Sequence, residues 1–68
     1  MDIEKEIAVN QNAVRLLKSQ EHFTLLMLVK SYYDDEDEYL KLNMKNIFLI
    51  GERIIQLEDI IRDLKDRQ

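Results

Sequence analysis

Along the second half of the chain, apolar residues recur on a seven-residue period. Leu40, Ile47, Ile54 and Ile61 occupy one position of the repeat, and Asn43, Ile50, Leu57 and Leu64 each follow three residues later. Residues spaced alternately three and four apart form a single stripe on an α-helix, the a and d seam of a coiled coil. The pattern predicts a helix from about residue 36 to about residue 65. Asp35 is the expected N-cap, with Glu38 three residues on as its capping-box partner. Asn43 is the one polar seam residue. It reads either as a register-fixing polar position or, as we prefer, as a solvated residue near the start of the helix.

The first half is also helical in pattern, though less cleanly. Ile3, Ile7, Val14 and Leu17 mark one stripe, interrupted by Asn10, while Val9, Ala13, Leu16 and Phe23 mark a neighbouring one. Asp2 is the expected N-cap, and from Phe23 to Val29 every residue but Thr24 is apolar. The expected helix covers about residues 3–33. Ser19 offers an alternative cap, which leaves open a break at Ser19–Glu21. A turn over about residues 33–35 is required by register. The second-half frame, extended backwards, would place Lys5, Asn12 and Ser19 at a and Arg15 and His22 at d. A β-hairpin across residues 23–46 competes with this reading, because Leu40, Leu42 and Met44 alternate with Lys41, Asn43 and Lys45. The sustained heptad and the lack of an Asn-Gly or Asp-Gly turn favour helices.

The expected fold is therefore all-α, an antiparallel helical hairpin forming a single domain over residues 1–68. A lone hairpin would leave much apolar surface uncovered, because Leu42, Met44, Phe48, Leu49 and Ile55 lie off the seam. Residues 39–50 are apolar nearly all round and would lie beside residues 23–33. A helix of that kind is buried on several sides. The expectation is a homodimeric four-helix bundle or a higher helical oligomer. Its interface would draw on Phe23, Met27, Leu40, Met44, Ile47, Phe48, Ile50, Ile54, Leu57 and Ile61. Gly51 lies within the second helix, at a cost of about 1 kcal/mol relative to Ala. It marks either the close approach of another helix, or a bend, or a tolerated residue.

The net charge of −4 changes the picture through its placement. The excess negative charge sits in the five consecutive residues Asp34–Glu38, and cations elsewhere are interleaved with acids. No basic face exists to neutralise phosphates, which argues against nucleic acid as a partner. No apolar run approaches the roughly 20 residues needed to span a bilayer. The N-terminal segment lacks the layout of a secretory signal, so a cytoplasmic location without membrane contact is expected.

Catalytic and cofactor chemistry has little to draw on. The chain has no cysteine, a single histidine (His22) and a single glycine. That leaves no thiolate metal site, no paired histidines and no phosphate-cradling loop. An EF-hand reading of the acidic run fails, because counting from Asp34 the sixth residue is Tyr39 and the twelfth Lys45. No cofactor, metal or catalytic residue is expected.

Tyr32, Tyr33 and Tyr39 flank the acidic run. Together with Asp34, Asp35 and Asp37 they form the expected partner-binding rim, since tyrosine is enriched at binding hot spots. The alternative role for the tyrosines is to close the end of the core with their hydroxyls in water. The sequence thus reads as a non-enzymatic, acidic protein-interaction module, a regulator, inhibitor or adaptor of another protein. Two alternatives stand beside it. One is a small chaperone or structural subunit. The other is an oligomer binding a small charged ligand between subunits, through Lys41, Lys45 and Arg53.

Overall fold

Asp2 opens the first helix, its carboxylate accepting a hydrogen bond from the Lys5 backbone N–H at 3.2 Å. The computed structural model describes residues 2–68. They form two α-helices, α1 (Ile3–Tyr33) and α2 (Asp37–Asp66), folded into a hairpin. The result is a rod of 50 × 14 × 14 Å. Glu4 and Glu6 in the first turn of α1, and Asp37 and Glu38 in that of α2, meet the positive ends of the helix dipoles.

α1 runs unbroken through Ser19–Glu21, so the break left open at that point does not occur. The helix contains neither Pro nor Gly, and its polar residues are satisfied without leaving helical geometry. The side chains of Asn10, Thr24 and Ser31 each donate to the carbonyl four residues back, at 2.8 Å. Such back-bonding lets a short polar side chain sit inside a helix.

The turn differs from the expectation. Asp35 takes a positive φ of 55°, in the left-handed region. The Glu36 N–H donates to the Ser31 carbonyl at 3.0 Å and the Asp35 N–H to the Tyr32 carbonyl at 3.3 Å. These two bonds make a Schellman motif, with Asp35 at the position glycine usually fills. Asp35 therefore terminates α1 and does not cap α2. An N-cap needs extended backbone, which a left-handed residue lacks. Glu36 precedes α2 instead, without a side-chain capping bond, its carbonyl accepting from the Leu40 N–H at 2.9 Å.

All eight heptad positions of α2 face α1. Ile54, Leu57, Ile61 and Leu64 are buried, and Leu40, Asn43, Ile47 and Ile50 are half-buried. The core consists of Ile54, Leu57, Ile61 and Leu64 with Ile7 and Val14, and Ile3, Ala13, Leu17 and Ile50 pack against it. It lies wholly in the half of the rod remote from the turn. Ile54, Leu57 and Ile61, expected at an interface between chains, are thus enclosed within one chain. Leu40, Ile47 and Ile50 are partly enclosed in the same seam. Gly51 is not demanded by α1, because a Cβ there would meet only the Glu21 Oε2 at 3.7 Å, an ordinary contact.

The turn yields a direct check. A β-branched residue at a left-handed position is strained, whereas glycine is not. Asp35→Val lowers unfolding stability by about 1–2 kcal/mol in urea titration, and Asp35→Gly keeps it within about 0.5 kcal/mol of the parent.

Candidate functional site

The α1 seam changes character after Leu17. The three-and-four spacing that begins Ile3, Ile7, Asn10, Val14, Leu17 continues through Glu21, Thr24, Leu28 and Ser31. Those nine residues are the buried or half-buried ones along that line. In the turn-proximal half, α1 therefore turns a carboxylate and two hydroxyls towards α2. Thr24 and Ser31 are 8% and 3% exposed. Asn43 donates from Nδ2 to the Ser31 Oγ at 3.1 Å, a polar link between the helices. Asn43 lies two turns inside α2, so it is a seam residue rather than the solvated helix start we preferred. Among the described residues, no buried side-chain nitrogen or oxygen lacks a partner.

Many of the large apolar residues of this half point outward, and most of those lie on two sides. One side is a shallow groove of about 650 Å³, lined by Phe23 and Met27 of α1 and by Tyr39 and Leu42 of α2, with Thr24 and Ser31 also on its wall. The other side is an edge whose position follows from an ion pair. Lys18 and Glu58 bridge the helices there at 4.0 Å. Leu25 and Tyr32 lie seven and fourteen residues beyond Lys18, and Gly51 and Met44 seven and fourteen before Glu58. Heptad spacing keeps these residues on the same edge. Val29, Phe48 and Ile55 widen it. Phe23, Phe48 and Ile55 are 64%, 66% and 62% exposed.

The tyrosine and acidic rim is only partly gathered. Tyr32 and Tyr33 meet edge to face, with ring centroids 5.6 Å apart. Tyr39 stands apart from them on the groove. All three are exposed, at 60–77%, so none closes the end of the core. Asp34 pairs with Lys30, while Asp35 shapes the turn and Asp37 lies in the first turn of α2. The Asp34 carboxylate holds the Lys30 ammonium above its ordinary value, first by hydrogen bonding and then by opposite charge. Phe23, Met27, Met44 and Phe48, from the expected interface, are exposed on the two sides.

Other chemistry has less to build on. His22 is exposed, and among the described residues no group of three His, Cys, Asp or Glu is placed to hold a metal ion. Lys41, Lys45 and Arg53 are spread around α2, and Arg53 donates to the Gln56 Oε1 at 3.2 Å. Among the described residues, no helix is long and apolar enough to cross a membrane. Comparison with protein-family models, with curated proteins and with solved structures finds no match for this chain.

Two outcomes follow from the seam and the turn. Replacing both partners of a buried hydrogen bond with apolar groups is close to neutral or stabilising. Ser31→Ala with Asn43→Leu therefore unfolds in urea at equal or up to about 1 kcal/mol higher stability. Lys30 titrates above the ordinary lysine value of 10.5. A raised value means that the pair contributes in full below that ordinary value and is lost as pH rises through the raised one. In NMR titration, Asp34→Asn lowers the Lys30 value towards the ordinary one.

Proposed function

We propose that this chain is a non-enzymatic protein-interaction module that works as an oligomer and holds another protein against its turn-proximal half. The observation carrying this reading is the partly polar seam of that half and the apolar surface left outside it. Thr24, Ser31 and Asn43 share the seam with Leu28, Leu40 and Ile47, while Phe23, Tyr32, Leu42 and Phe48 face outward. The turn-distal half has a mainly apolar seam and fewer exposed apolar residues, Val9, Leu16 and Ile60 among them. Contiguous exposed apolar surface rimmed by charge is the mark of a protein contact. Exposed aromatics beside the acidic turn supply the anchors such contacts favour. The helices supply positioning, and no group here is arranged for acid-base or nucleophilic work. In this role the protein is a small regulator, inhibitor or adaptor.

A photo-crosslinking residue tests the surface directly. At Phe23 or Leu42 in the groove it traps a discrete protein adduct in the native host, while at Arg62, on the turn-distal half, it does not. Equal labelling at all three positions, or none in the groove, overturns the reading.

A further inference from the structure

The groove and the edge differ in composition, and the difference names an occupant for the edge. The groove wall includes Gln20, Lys30, Glu36 and Asn46. The edge between His22 and Tyr32 on α1, and between Lys41 and Ile55 on α2, is poorer in polar groups, with the Tyr32 hydroxyl at one end and the Glu21 carboxylate reaching it beside Gly51. Leu25, Val29, Tyr32, Met44, Phe48 and Ile55 expose 43–66% of their surface there. That is roughly 100 Å² each and roughly 600 Å² per chain, on the scale of large side chains. With a charged flank it reaches the roughly 800 Å² per partner that a stable interface buries.

Charge then selects an orientation. The turn carries five consecutive acids, Asp34–Glu38. Two copies aligned turn beside turn would set ten carboxylates together, against which only Lys30 and Lys41 stand nearby. The opposite alignment, with the two turn-proximal halves overlapping antiparallel, brings each acidic turn to the middle of the other rod. There the same edge bears Arg15, Lys18 and His22. Among the described residues, Lys18 pairs with Glu58 alone, at a long 4.0 Å. Opposite charges at the rim fix register and suppress the wrong alignment.

We propose that a second copy of this chain covers the edge, packed antiparallel so that the acidic turn of each copy meets the Arg15–Lys18 segment of the other. The proposal rests on the protein-binding reading of the turn-proximal half and assigns one of its two sides to self-association. The groove stays open for another protein.

The test is absolute mass by light scattering over a tenfold concentration range, with variants on each side. The parent gives twice the 8.2 kDa of one chain. Phe48→Lys with Ile55→Glu gives one-chain mass at unchanged far-ultraviolet helicity, since both residues are exposed in the single hairpin. Phe23→Lys with Leu42→Glu keeps the two-chain mass. A parent at one-chain mass, a parent above two chains, or an edge variant still at two chains overturns the proposal.

Orientation is read with the edge intact. The chain has no cysteine of its own, so single substitutions report cleanly. On oxidation, an equimolar mixture of Lys18→Cys and Asp35→Cys chains links mainly as the mixed pair. Asp35→Cys linking chiefly to itself overturns the antiparallel alignment. Groove adducts at Phe23 are scored separately, so loss of the dimer and loss of the protein-binding reading are distinguishable.

Discussion

Two helices joined by a tight turn share one seam, and every other feature of this molecule follows from how that seam is filled. Each helix buries a single stripe against the other, so a chain of 68 residues that is 46% hydrophobic has more apolar side chains than the seam accepts. The turn-distal half fills its share with Ile7, Val14, Ile54, Leu57, Ile61 and Leu64. Full burial of such side chains contributes roughly 1.5–3 kcal/mol apiece, before the entropy of ordering the chain is set against it. The turn-proximal half mixes Thr24, Ser31 and Asn43 with Leu28, Leu40 and Ile47 in its share, and sends its aromatic and many of its aliphatic residues outward. The surplus is therefore concentrated in one half of the rod.

The two halves do different work in the folded chain. An apolar zipper is strong but tolerant of sliding by a heptad, because one aliphatic contact resembles the next. The Asn43–Ser31 hydrogen bond has one geometry, and a slip would leave a half-buried amide without its partner. Polar seam residues are well attested as register devices in helical bundles. The Schellman turn acts to the same end, since it fixes where α1 stops and hence which residues of α2 oppose it.

Much of this was legible in the residues. The α2 heptad from Leu40 to Leu64 coincides with the inward face at every position, because a regular apolar repeat on a long helix has one low-energy way to turn. The length of α1 and the place of the turn were legible for the same reason. The inner face of α1 beyond Leu17 was not. Its apolar residues from Phe23 to Val29 drew attention away from the line that continues through Glu21, Thr24 and Ser31, and only the spacing marked that line. Asp35 misled because an aspartate before a helix suits an N-cap and a left-handed C-terminal residue almost equally. The choice was decided by backbone bonds to Ser31 and Tyr32, which composition does not encode. The candidate surface was legible as a region. Its division into a groove and an edge was not, because that depends on which residues the polar seam withdraws from the outside.

The acidic turn gains meaning from this arrangement. Asp37 and Glu38 suit the start of α2, and Asp34 ties back to Lys30, so local structure accounts for three of the five charges. Those interactions are solvent-exposed and worth little to stability, as surface ion pairs generally are. A charge cluster that adds little to its own fold and lies at the rim of an uncovered apolar surface acts mainly on what approaches that surface. It repels a like-charged turn, and it attracts cations such as Arg15 and Lys18 when they are presented across an interface. The apolar residues supply adhesion without direction. The acids, confined to one end of a 50 Å rod, supply the direction.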